Sequence, residues 1–108
     1  MKISETHKYE MRDKRDRLQS RVYVRIPHDS SKPIEVFRLR TNKSYRKKGY
    51  ASTLVNHVVS KYGWDRDIKL GVCPEKGSGL TKKDLYRFYG RFGFIKKKNS
   101  QTMVRIAE

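Results

Sequence analysis

The sequence predicts an α+β domain, a mixed sheet of about six strands carrying two main helices. Three observations point to it. Apolar residues alternate with polar ones at 22–26, 34–41 and 68–72, the two-residue period of strands with one buried face. They recur every three or four residues at 51–62 and 85–92, the period of helices that bury one side. The two kinds of segment interleave along only 108 residues, too few to fill a second core, so residues 1–108 are expected to form one domain.

Residues 1–20 carry the weakest pattern. Tyr9 and Met11 suit a short strand, and 12–17 is a mixed-sign charge run that reads as a solvated turn or strand edge. Val22, Val24 and Ile26 then alternate with Arg21, Tyr23 and Arg25 up to Pro27, giving the first arm of a hairpin. The second arm, 34–41, sets Ile34 and Val36 on one face and Glu35, Phe37 and Leu39 on the other, which leaves a carboxylate on a largely apolar face.

After a basic, glycine-containing loop, Ala51, Leu54, Val55, Val58, Val59 and Tyr62 mark a helix that Gly63 ends. His57 falls on its opposite side and is expected at the surface. Ile68, Leu70 and Val72 mark another strand, with Cys73 a buried strand cysteine beside them, and 74–79 is a loop. Thr81 with Asp84 three residues on resembles a capping box opening a second helix. Leu85, Phe88, Tyr89 and Phe92 share one face of that helix and Gly93 terminates it. Phe94-Ile95 and 102–106 supply two last short strands.

Twenty-seven Lys+Arg against 11 Asp+Glu give a net charge of +16, which attracts nucleic acid, acidic proteins or anionic surfaces. A single cysteine excludes an internal disulfide. His7, His28 and His57 lie far apart without ligand-like spacing, so no metal is expected. No run of about eighteen apolar residues occurs, and the first residues lack a signal peptide's apolar core. A soluble, cytoplasmic protein with no membrane partner is expected.

A strand leading into Arg46-x-x-Gly49-x-Ala51 and then a helix suits a pyrophosphate. Gly49 and small Ala51 let backbone N–H groups approach phosphate closely, and the helix N-terminus adds about half a positive charge. Arg46, Lys47 and Lys48 add side-chain charge. Taken alone, such a turn is equally readable as a solvated basic loop.

These residues resemble the GNAT superfamily of N-acetyltransferases, whose acetyl-CoA loop reads Gln/Arg-x-x-Gly-x-Gly/Ala between a strand and a helix. Arg46, Gly49 and Ala51 match its three defined positions. A second hallmark of that family is an aromatic helix ending in Gly-Phe, with a tyrosine four residues before the glycine. Tyr89 stands there, ahead of Gly93-Phe94. The resemblance covers roughly 34–106. It departs at the N-terminus, where the family's first helices on the acceptor side are missing. The chain is thus similar to minimal, phage-like members, among them an anti-CRISPR acetyltransferase.

The resemblance implies an acyltransferase with acetyl-CoA as donor and no metal. The thioester would lie between two splayed parallel strands, 34–41 and 68–73, with backbone near Leu39 and Thr41 pairing with the pantetheine arm. Arg46, Lys47, Lys48, Gly49, Tyr50, Ala51 and Ser52 would hold the pyrophosphate. An amine attacks directly, backbone N–H groups hold the oxyanion, and Tyr89 protonates the departing sulfur. The other reading of Tyr89 is a core aromatic beside Leu85 and Phe88.

Deprotonating a lysine of pKa about 10.4 at pH 7 costs about 4.6 kcal/mol, and an α-amine near 7.8 only about 1 kcal/mol, so a lysine acceptor makes a general base valuable. Glu35, eleven positions before Arg46, matches the offset of the glutamate base in the histone-modifying branch of the superfamily; Glu75 is the rival. Cys73 has no His or Asp beside it in sequence to make it a nucleophile. The donor's phosphates do not account for +16, which points to a protein acceptor associated with nucleic acid, or to nonspecific nucleic-acid binding. The alternative is a nucleic-acid-binding or inhibitor module on the same frame without turnover. A small-molecule amine is less well served, because the short N-terminal part leaves little protein to enclose it.

Overall fold

The computed structural model describes residues 3–41, 49–74 and 79–107. The chain runs β1 (Ser4–Arg12), β2 (Leu18–Pro27), β3 (Ile34–Thr41), α1 (Tyr50–Tyr62), β4 (Ile68–Gly71), α2 (Lys82–Gly90), β5 (Ile95–Lys96) and β6 (Thr102–Arg105). The strands form one mixed sheet in the order β1-β2-β3-β4-β6-β5, in which only β3 and β4 are parallel neighbours.

The alternation predicted for β2 and β3 sets the core. Val22, Val24, Ile34, Val36, Ile68 and Leu70 are buried on one face of the sheet, against Leu54, Val55 and Val58 of α1 and Tyr89 of α2. Both helices therefore cover the same face. An apolar cavity of about 10 Å³ lies where they meet, lined by Val36, Val58, Leu70, Tyr89 and Phe94 among others. It sits at the lower limit for one water and has no polar partner to hold one. Among the described residues no helix lies on the opposite face.

The helix ends follow local rules. Thr81 accepts from the Asp84 N–H at 3.1 Å while the Asp84 carboxylate accepts from the Thr81 N–H at 2.8 Å, the capping box expected at the start of α2. Regular helix stops at Gly90, earlier than predicted, and the chain turns on to Gly93. There φ is +92°, and the Phe94 N–H reaches back to the Tyr89 carbonyl.

Arg105 of β6 locks both helices to the sheet. Its Nε donates to the Phe92 carbonyl at 2.9 Å and its Nη1 to the Gly63 carbonyl at 3.1 Å, so one cation sits where two helix dipoles are negative. Gly63 has φ −83°, a value open to any residue, so space is what demands glycine there. An added Cβ would lie 2.5 Å from Arg105 Nη1 and 2.8 Å from the Val59 carbonyl. Gly63→Ala is expected to lower stability by about 1–3 kcal/mol, the usual range for overpacking. An unshifted urea midpoint would contradict this.

Several expectations are corrected. The strand expected around Tyr9 and Met11 is present but longer, a nine-residue edge strand, and 13–17 is its hairpin turn, as the charge run suggested. Asp13 organises that turn by accepting from the N–H groups of Arg15 and Arg17 at 2.9 and 3.0 Å. His57 is exposed as predicted but rests edge-on against Tyr9 of β1, 4.9 Å between centroids. Cys73 lies beyond the end of β4 and is exposed, because the strand stops at Gly71.

Leu39 packs against the core, on the face opposite to Phe37. The register explains why: Tyr23 pairs with Phe37 but Arg21 pairs with Arg40, so β3 carries one extra residue. Arg38, at φ +53°, marks the bulge, and the alternation changes phase across it.

Candidate functional site

The parallel pairing of β3 and β4 is short. Ile34, Glu35 and Val36 face Ile68, Lys69 and Leu70, and no further rung follows among the described residues. Past Val36 each strand stays with its outer neighbour. β3 continues along β2 through Phe37, Arg40 and Thr41, while Gly71 pairs with Thr102 of β6 and the Val72 N–H donates to the Gln101 carbonyl at 2.8 Å.

A fork opens between them, edged by the backbone of 37–41 on one side and 71–73 on the other. Two strand edges facing a gap can pair with an extended, amide-bearing ligand. Leu39 and Thr41 lie on the β3 arm, Leu39 within the bulge and Thr41 opposite Ser20 of β2.

Tyr89 stands at the crotch of this fork on the helix face, lining the same cavity as the last rung, Val36 and Leu70. Its side chain is 8% exposed. Burial pushes its phenol up to about 12, so it is protonated at neutral pH. Its ring packs edge-on against Phe88 and Phe94, so it serves the core as well, as the other reading of this residue expected.

Glu35 lies one rung below the fork on the opposite, open face. Its carboxylate is tied to Arg25 at 3.2 Å and to Lys69 at 3.4 Å. The sheet therefore separates Glu35 from Tyr89, which spacing along the chain did not reveal.

After β3 in the chain, α1 begins. Gly49 is its N-cap with φ +84°, a left-handed conformation that disfavours any side chain although the space around it is open. Among the described residues no side chain caps this end, and no acidic residue lies in its first turn. The first N–H to find a helical partner is that of Thr53, on the Gly49 carbonyl at 2.9 Å, which leaves the N–H groups of Ala51 and Ser52 outside the helix's own bonding. A helix start with no acidic residue in its first turn favours an anion. Arg46, Lys47, Lys48 and Glu75 lie outside the described residues. Among the described residues no group of His, Cys, Asp or Glu could hold a metal ion, and no helix is long and apolar enough to cross a membrane.

Scanned against protein-family models and against curated proteins, the sequence matches none. Solved structures do match. A GNAT-family acetyltransferase from Staphylococcus aureus superimposes with a TM-score of 0.70 at 17% identity, covering 95% of this chain and 68% of that one. The anti-CRISPR protein AcrVA5 gives 0.65 at 17% identity over 92% of this chain and 96% of its own length. The Bacillus subtilis N-acetyltransferase YlbP, solved in complex with coenzyme A, gives 0.61 at 17% identity over 90% and 65%. The chain has the fold of GNAT acetyltransferases. It spans about two thirds of the two bacterial enzymes and nearly all of AcrVA5.

Proposed function

We propose that this chain is a single-domain N-acetyltransferase that moves an acetyl group from acetyl-CoA to a primary amine, a protein lysine or α-amine. The observation that carries the reading is the fork, where β3 and β4 share no further rung among the described residues and a protonated, buried phenol stands at the base, together with a glycine-started helix that has no acidic residue in its first turn. The pantetheine amides pair with backbone along Leu39 and Thr41. The pyrophosphate lies on the start of α1, from Gly49 through Tyr50, Ala51 and Ser52, with Arg46, Lys47 and Lys48 beside it.

The chemistry needs few groups. The amine attacks the thioester carbonyl, backbone N–H at the fork holds the oxyanion, and Tyr89 gives its proton toward the leaving sulfur. The amine comes from the open face, where Glu35 takes its proton once Arg25 or Lys69 swings away. Acetyl-CoA is an intracellular metabolite, so the reading places the protein in the cytoplasm. The charge of +16 favours a protein acceptor that is itself associated with nucleic acid.

Calorimetry with acetyl-CoA, release of free CoA thiol with lysate protein as acceptor, and mass spectrometry of the products test the reading together. Binding followed by thiol release and new acetyl-lysine or acetyl-α-amine is expected; no heat of binding and no thiol would refute it. Gly49→Ala is expected to weaken acetyl-CoA binding roughly five- to thirtyfold, because a side chain costs about 1–2 kcal/mol in a left-handed conformation that the bound loop must keep. Equal affinity would remove Gly49 from the site.

The second reading, a binding or inhibitor module on this frame without turnover, is favoured by the open basic face. It predicts salt-dependent nucleic-acid binding with no thiol release.

A further inference from the structure

We infer that the helix-free face of the sheet binds single-stranded nucleic acid, stacking bases on Tyr23 and Phe37 and holding phosphates with Arg21, Arg25, Arg40 and Lys69. This goes beyond acetyl transfer and holds whether or not the fork turns over. The two rings are cross-strand partners on β2 and β3, stacked with centroids 5.6 Å apart and planes 26° apart. Both are part-exposed, although neither helix covers them. Arginines flank the pair: the Arg25 guanidinium lies 5.2 Å from the Phe37 centroid and that of Arg21 lies 5.9 Å from Tyr23.

Charge selects the occupant. Arg21 and Arg40 are cross-strand partners, which places two guanidinium groups on adjacent strands of this face. Among the described residues the acidic groups on this face are already paired, Glu35 with Arg25 and Lys69, and Glu10 with Lys8 and Arg12. A second copy of a chain carrying +16 would be repelled from such a face, and an acidic polypeptide would make no use of two stacked rings. Single strands use both features: bases stack on aromatic rings and guanidinium planes while phosphates lie along the cations. A duplex hides its bases and so gains only the charge.

The test is fluorescence anisotropy with labelled oligothymidylate and oligouridylate, alone and as duplexes, at low and moderate salt, without acetyl-CoA. Omitting the donor keeps failure here separate from failure of the transferase reading. Phe37→Leu and Tyr23→Leu are each expected to weaken single-strand binding roughly five- to a hundredfold, the range for losing one base stack. Circular dichroism shows whether each variant keeps its fold, and Arg25→Gln, which leaves both rings in place, serves if either does not. Lys97→Gln, in the β5–β6 turn, should change affinity only by its one charge. The inference is overturned if no oligonucleotide binds, or if binding follows total charge alone and ignores the rings. Duplex binding as tightly as single strand, or polyglutamate displacing the oligonucleotide as well as unlabelled strand does, would also overturn it.

Discussion

Tyr89→Phe is expected to lower kcat by about 10²-fold, the low end of the range for general acid catalysis, while acetyl-CoA affinity stays within a factor of about two. The magnitude follows from two pKa values. Burial holds the Tyr89 phenol at about 12, and a free thiol titrates near 8.5. Full proton transfer to the leaving sulfur is then uphill by about 3–4 pK units, about 5 kcal/mol at 1.36 kcal/mol per unit. Most of the benefit therefore comes from a hydrogen bond that strengthens as the sulfur gains charge, and less from completed transfer. The kcat profile should show no falling limb from Tyr89 between pH 7 and about 10. Unchanged turnover in the variant would leave Tyr89 a core aromatic only.

The same residue offers a readout that is independent of catalysis. Its folded pKa is raised above the unfolded value, so the stability gained by keeping the phenol neutral is present below pH 10 and is lost as pH rises to about 12. That loss amounts to about 2–3 kcal/mol for a two-unit shift. Urea midpoints of wild type should fall over this window more steeply than those of Tyr89→Phe. Parallel curves would show that the phenol is not buried in the folded protein.

Ile68→Ala is expected to cost about 2–5 kcal/mol, a large share of the 5–15 kcal/mol typical of a domain. Ile68 is completely buried, and it pairs with Ile34 across the three-rung seam that joins the two halves of the sheet. Removing its side chain leaves a void at the closed end of that seam, two rungs from the fork, so stability should fall more than acetyl-CoA affinity. Ile95→Ala is the contrast: Ile95 is 68% exposed, and a change within about 0.5 kcal/mol is expected. Equal urea midpoints for the two variants would contradict this account of the core.

Much of the fold could be read along the chain, because strands and helices report their burial locally. The alternation of Val22, Val24 and Ile26, the helical spacing of Leu54, Val55 and Val58, and the Thr81-Asp84 box all lie where predicted. Gly49 was singled out for the close approach of backbone N–H groups to phosphate that it allows, and it stands at the start of α1 with φ +84°. The failures came where the signal is weak or not local. Edge strand β1 has few apolar residues to alternate. The bulge at Arg38 gives no warning, because arginine has no preference for positive φ, yet it turned Leu39 to the core.

Local patterning thus carried the elements, their order and the glycine at the start of α1. Neither the side of the sheet on which each helix settles nor the point where β3 and β4 part is written in any single segment, because both depend on how distant segments share one core. Packing both helices on one face is what put Tyr89 under the fork, left Glu35 across the sheet, paired with Arg25 and Lys69, and kept Tyr23 and Phe37 part-exposed on the other side.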